Sequence, residues 1–216
     1  MGKVKAQISV SLDGYMAGPN QSEEHPLGEG GMALHQWVFK LASWQQAHGR
    51  EAGEGDENPS NAVLSAAQEN VGAVVMGRNM FGPVRGPWGA SDWRGWWGEE
   101  PPFHVPVFVL THHQREPLEM DGGTSFHFVT EGIESAVAQA KQVAGEKDVS
   151  VGGGASTLRQ CLAAGLLDEL LVNQAPVLLG GGERLLDGLE PTATGIELVE
   201  VVEGPEAVHL RYAFGS

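Results

Sequence analysis

Val149-Ser150-Val151-Gly152-Gly153-Gly154-Ala155-Ser156-Thr157 decides how the chain reads: a short strand runs into three glycines, and the glycines open a helix. Glycine lets backbone approach a bound group closely because it carries no Cβ. The first N–H groups of a helix have no internal acceptor, and together with the helix dipole they suit a phosphate. Ser156 and Thr157 can add hydroxyl donors. The same succession also serves as a tight turn that binds nothing. Its spacing is neither that of the dinucleotide fingerprint G-x-G-x-x-G nor that of the Walker loop.

Outward from this turn, strand and helix patterns alternate along the chain. Residues 4–12 alternate apolar with polar or small side chains, and Asp13-Gly14 ends that strand. Residues 19–31 read as a surface loop. From Met32 the recurrence of Leu34, Trp37, Val38, Leu41 and Trp44 at spacings of three and four predicts a helix that fades near His48. Residues 51–60 form a second, acidic loop, and Ser60 reads as the N-cap of a helix over 62–69. The apolar run 71–76 (VGAVVM) suits a strand buried on both faces. Residues 82–104 hold Trp88, Trp93, Trp96 and Trp97; so much aromatic area should fold onto the body, cover a pocket or meet another subunit.

In the second half, strands are expected at 105–110, 125–129 and 148–151, with helices at 133–144 and 156–164. Residues 167–179 read as a buried strand bent at Pro176. Residues 197–203 and 207–214 flank Gly204-Pro205 as an antiparallel hairpin. The alternation predicts an α/β fold with a mostly parallel sheet and an antiparallel edge, in a single domain over residues 1–216.

Thirteen Lys+Arg against 28 Asp+Glu leave a formal charge of −15, a field that repels nucleic-acid backbones and anionic lipid. An anionic ligand would need a local device to overcome it. Cys161 is the one cysteine, so neither an internal disulfide nor a thiolate zinc cluster can form. No apolar run approaches a membrane span. The amino terminus alternates like a strand and lacks the apolar core of a signal peptide, which points to a cytoplasmic protein.

Two further motifs carry chemistry. Gly77-Arg78 follows the buried strand directly, at the carboxyl end where open α/β sheets bind ligands, and a guanidinium offers phosphate two parallel hydrogen bonds. A surface arginine paired with a carboxylate would look the same. Leu110-Thr111-His112-His113 also ends a strand. Adjacent histidines point to opposite faces and do not chelate one metal together, so Thr111 and His112 fit a phosphate better. No metal site is expected, and no nucleophile stands with its base.

Taken in order, Ser11-Leu12-Asp13-Gly14-Tyr15-Met16-Ala17, Val74-Val75-Met76-Gly77-Arg78, Val109-Leu110-Thr111-His112, Val151-Gly152-Gly153-Gly154 and Pro176-Val177-Leu178-Leu179-Gly180-Gly181-Gly182 resemble the dihydrofolate reductase-like family. The likeness is to the branch with the reductase domain of the bifunctional riboflavin-biosynthesis deaminase–reductase. It implies a three-layer α/β/α fold with an antiparallel C-terminal hairpin, a homodimer, and NADPH as cofactor. It further implies that Gly77-Arg78 and Leu110-Thr111-His112 hold the adenosine-side phosphates. Gly153, Gly154, Ala155, Ser156 and Thr157 would hold the pyrophosphate, and Asn79, Met80 and Val151 count with them as cofactor-binding residues. Gly18, in the loop from Asp13, would lie over the nicotinamide.

Folate reductases carry a carboxylate on their first helix, whereas residues 32–49 here contain no Asp or Glu. Asp13 and His35 become the candidates for the catalytic, substrate-side role, with Trp37 and the 88–97 loop as aromatic walls. The expected activity is hydride transfer from NADPH to a small heterocyclic or carbonyl substrate. The alternative is a non-catalytic small-molecule-binding protein on the same fold.

Overall fold

The computed structural model describes residues 2–49, 54–83, 85–89, 92–189 and 195–215. In chain order the elements are β1 (Val4–Val10), β2 (Tyr15–Ala17), α1 (Gln36–Phe39), α2 (Ala42–Ala47), α3 (Pro59–Gln68), β3 (Val71–Gly77), α4 (Arg78–Phe81), β4 (Pro106–Leu110) and β5 (Leu118–Glu119). There follow β6 (Ser125–Val129), α5 (Ile133–Ala144), β7 (Asp148–Val151), α6 (Ala155–Ala163), β8 (Glu169–Gln174), β9 (Glu183–Arg184), β10 (Ile196–Glu203) and β11 (Val208–Phe214). Contacts divide the chain into two compact units, one of residues 1–6 and 70–168, the other of residues 7–69 and 169–216.

In the first unit the strand order is β1-β7-β3-β4-β6-β5, parallel except for β5. Val74, Val75, Met76, Val107 and Val109 are all buried, as expected of central strands in such a sheet. The register brings the strand ends together. Gly77 pairs with Leu110, Val75 with Val151 and Leu110 with Val129, so these strands finish at one level. α5 lies against β3, β4 and β7 and buries Ile133, Ala136, Val137, Ala140 and Ala144, a stripe at helical spacing. Gly145, at a positive φ of 63° that glycine adopts without strain, ends it. The tryptophans of 82–104 fold inward: Trp88 is buried with Phe81, Phe126 and Met120, and Trp93 and Trp97 pack on that cluster. Residues 84, 90 and 91 of this stretch lie outside the described residues.

In the second unit the order is β10-β11-β8-β1, with β8 antiparallel to β11 and β11 antiparallel to β10. The expected long strand over 167–179 is shorter, ending at Gln174; Pro176 has no N–H to continue a ladder. The expected helix over 32–48 is broken into a 3-10 turn at Gly31–His35 followed by α1 and α2. Leu41 is extended (φ −72°, ψ 141°), because Lys40 O and Ala42 N bond the backbone of Asp56 instead of continuing the helix. Residues 51–53 of the acidic loop lie outside the described residues.

Ser60 does not cap α3. Asn58 does, its side chain accepting from Asn61 N, because Pro59 occupies the first helical position. The Ser60 hydroxyl is buried and lies 2.8 Å from His209 Nε2, while His209 Nδ1 lies 2.7 Å from Asn173 Oδ1. With Asn173 Oδ1 accepting, Nδ1 carries the hydrogen and Nε2 accepts from Ser60. Burial holds this imidazole below its ordinary value of 6.5, and burial does the same to His35. The unfolded chain therefore takes up a proton that the folded chain resists. Stability contributed by these groups is fully present above about 6.5 and is lost as pH falls below it. Thermal midpoints measured from pH 8 to pH 5 should drop towards the acid end, with a shallower slope in His209→Gln. Ser60→Ala, which strands Nε2 without a donor, should cost about 1–3 kcal/mol at pH 7.

Candidate functional site

In the first unit the glycine turn and the end of β3 are built against each other. Gly77 N donates to Gly153 O at 3.2 Å, and Gly152 N to Val75 O at 2.8 Å. Any side chain at Gly77 would run into Thr157 Oγ1, and one at Gly152 would meet Met80 Sδ at 2.9 Å. Gly77 is thus held tightly by packing, whereas at Gly152 only the end of the flexible Met80 side chain stands in the way. Gly154 is different: a Cβ there would meet no atom within 4 Å, so space stands open beside it. The Gly153–Gly154 peptide bond is cis.

Gly154 is also the N-cap of α6, and no side chain caps that helix. Thr157 N and Leu158 N turn back to Gly154 O at 3.1 and 3.3 Å, which leaves the N–H groups of Ala155 and Ser156 for an outside acceptor. Ala155 and Thr157 are buried, Ser156 is exposed. Val151 is fully buried and carries the sheet up to this turn.

Arg78 starts α4 at the end of β3. Its Nη1 donates to Thr111 Oγ1 at 3.1 Å and its Nη2 to Gly86 O at 3.0 Å, and its guanidinium lies 3.2 Å from the centre of the Trp88 ring. Burial lowers its pKa, and Arg115 and Arg85 lower it further by like charge. Thr111 N is held by Val129 O, as the register of β4 and β6 requires. Gly77, Arg78, Met80, Thr111 and the 151–157 turn thus converge at the carboxyl ends of β3, β4 and β7. Asn79 and His112 stand at the same ends with exposed side chains.

The remaining candidates lie in the second unit. Asp13 accepts from Leu179 N at 3.1 Å and Gly180 N at 2.7 Å. The Ser11 hydroxyl and those two backbone donors hold its carboxyl down at about 2. Such a group stays ionised at neutral pH and latches the backbone of 179–180. Gly18 is closed in by its own unit, because a side chain there would run into Glu29 O. His35 Nδ1 is buried with no hydrogen-bond partner, and the same holds for Trp37 Nε1, whose ring packs edge-on against His209 at 5.1 Å.

Of the 88–97 tryptophans Trp88 is buried, while Trp93, Trp96 and Trp97 are half-buried. Trp88 belongs to the first unit's core with Phe81 and Phe126, Trp93 and Trp97 pack on that cluster, and Trp96 stands edge-on to Trp93 at 4.6 Å. Sequence reasoning passed over Arg115, which lies 4.7 Å from the Trp88 ring that Arg78 also touches. The available signal was its place four residues beyond Thr111, at a strand end, in a chain poor in arginine. Among the described residues no cluster of His, Cys, Asp and Glu could hold a metal, and no helix is long and apolar enough to cross a membrane.

The sequence profile of the family described as RibD C-terminal domain matches residues 2–210. No curated protein matches the chain. Among solved structures, a protein from Shewanella sp. PV-4 assigned by name to riboflavin biosynthesis is similar at TM-score 0.62 and 21% identity, covering 99% of each chain. RibD of Acinetobacter baumannii is similar at TM-score 0.59 and 16% identity over 100% of this chain and 59% of its own. Dihydrofolate reductase from Enterococcus faecalis, solved with NADP(H), is similar at TM-score 0.51 and 14% identity over 98% and 96%. The fold is accordingly dihydrofolate reductase-like, with a mixed, mostly parallel sheet and an antiparallel C-terminal hairpin.

Proposed function

Because the chain belongs to the family of RibD C-terminal domains, we propose that it is an NADPH-dependent reductase acting on a small heterocyclic or carbonyl substrate. The observation that carries this reading is the uncapped start of α6 with open space beside Gly154 and Arg78 and Thr111 close by. Those residues fit a dinucleotide. The N–H groups of Ala155 and Ser156, with Gly153 and Gly154 making room, would neutralise a pyrophosphate. Arg78 would meet a phosphomonoester, with Thr111 orienting its fork and Asn79 and His112 beside it. NADPH would supply the hydride. On the substrate side His35 offers a buried, unsatisfied ring nitrogen, and Asp13 positions the 179–180 backbone. The reading includes a cytoplasmic location and a homodimer, and the exposed Ile196, Leu198, Val199 and Val201 on edge strand β10 support the homodimer.

The non-catalytic reading has one observation in its favour: Thr111 and Gly86 already occupy two of the Arg78 donors. Titration of the purified protein with NADPH and NADH, followed by tryptophan fluorescence, tests the proposal. NADPH should bind at least about tenfold more tightly, a difference of roughly 1.4 kcal/mol. Binding of neither nucleotide overturns it. NADPH binding with no oxidation across heterocyclic and carbonyl substrates would favour the binding protein.

A further inference from the structure

Trp88 carries two cations. Arg78 lies 3.2 Å from the centre of its indole and Arg115 4.7 Å, and Arg115 is also 5.3 Å from the Phe128 ring and 5.9 Å from Phe81. The indole is only 9% exposed and is pinned by its Nε1, which donates to His113 O at 2.9 Å. Thus the segment that carries Arg115 also fixes the ring that Arg78 stacks on. Aromatic faces attract guanidinium groups but do not neutralise them.

Neutralisation is what this cluster lacks. In a chain with 28 carboxylates to 13 basic side chains, neither Arg78 nor Arg115 makes an ion pair among the described residues. Asp92 contributes a favourable field at Arg115 without pairing to it. Arg115 Nη1 is buried and has no hydrogen-bond partner. Like charges held together and partly desolvated are unfavourable unless an anion joins them. Arg115 also lines an open cavity of about 660 Å³ with Gln114, Thr130, Gln139, Glu116 and Glu131.

We propose that Arg115 is a second phosphate-binding guanidinium of the site, and that the Arg78–Trp88–Arg115 arrangement, not Arg78 alone, selects a dinucleotide bearing an additional phosphomonoester. This rests on the reading of the protein as a dinucleotide-binding reductase. A phosphomonoester near neutral pH carries close to two negative charges and three acceptor oxygens, enough to engage both forks. A pyrophosphate is already provided for at the start of α6, some way along the sheet end at β7. NADH lacks only the extra phosphate and therefore measures everything except this contact.

The test compares NADPH and NADH binding to wild-type protein, Arg115→Ala and Arg78→Ala, with adenosine 2′-monophosphate as a competing probe. Arg115→Ala should raise the NADPH dissociation constant about tenfold or more and move NADH by less than about twofold. It should also weaken competition by adenosine 2′-monophosphate, and not that by adenosine 5′-monophosphate. Because Arg115 packs on three rings, Arg115→Met serves as the folded alternative: it keeps an unbranched stem against them and removes the charge. Retention of the wild-type NADPH preference in both variants overturns the role of Arg115 and leaves the reductase reading standing. Equal losses for both nucleotides overturn it as well, since a merely structural residue would give that result. Wild-type protein that binds neither nucleotide overturns both.

Discussion

Gly154→Ala is expected to weaken NADPH binding on the order of a hundredfold while moving the thermal midpoint by no more than about 2 °C. The backbone at Gly154 is extended (φ −91°, ψ −174°), a conformation that any residue adopts, and a Cβ built there meets no atom within 4 Å. Folding therefore has no use for a glycine at this position. A bound pyrophosphate does, because contact with the N–H groups of Ala155 and Ser156 brings it against the backbone where a methyl would stand. Gly77→Ala is the contrast. Its methyl would run into Thr157 Oγ1, so that variant should lose stability and binding together. Calorimetric titration and thermal melts on the two proteins separate the cases. Wild-type affinity in Gly154→Ala would mean that the open space at the turn is not where the ligand lies.

That contrast shows why the site was partly legible in the sequence. Gly77-Arg78 and the 151–157 turn are local patterns, each a strand running straight into its ligand-facing end, and neighbours in sequence suffice to read them. α5 was legible to the residue because its buried stripe lies between two nearby glycines, Gly132 and Gly145. Elements that depend on distant partners were not. The helix expected over 32–48 breaks because Lys40 and Ala42 bond the backbone of Asp56. Ser60 serves His209, 149 positions away, rather than its own helix. The tryptophans of 88–97 were expected to fold onto the body, cover a pocket or meet another subunit, and only the fold shows that Phe126 and Phe128 of β6 lie against Trp88 and Trp97. Arg115 could be noticed from its place just past Thr111, but nothing near it in sequence reveals that Trp88 lies beside it. Asp13 illustrates a different limit. Its place at the end of β1 was legible, whereas its bonds to Leu179 N and Gly180 N, which make it a latch, required the fold.

Phe81→Ala should produce the largest loss of stability, about 3–5 kcal/mol, and take the preference for NADPH with it. Phe81 is fully buried and its ring meets those of Phe126 at 5.1 Å, Phe128 at 5.3 Å and Trp88 at 5.8 Å. Its carbonyl also accepts from Trp93 Nε1 at 3.0 Å. α4 has only four residues, too few to be stable on its own, and Phe81 is the one it buries. Arg78 stands at the other end of that single turn, and Trp88, the ring it stacks on, packs against Phe81. Removing the phenyl ring thus loosens both the helix that presents the guanidinium and the surface that orients it. Urea unfolding should show a lower midpoint with an unchanged slope, and Phe81→Leu should recover most of the lost stability. In Phe81→Ala that remains folded, NADPH affinity should fall towards that for NADH. A destabilised variant that keeps the wild-type ratio of the two affinities would show that Arg78 is positioned by Thr111 and Gly86 alone.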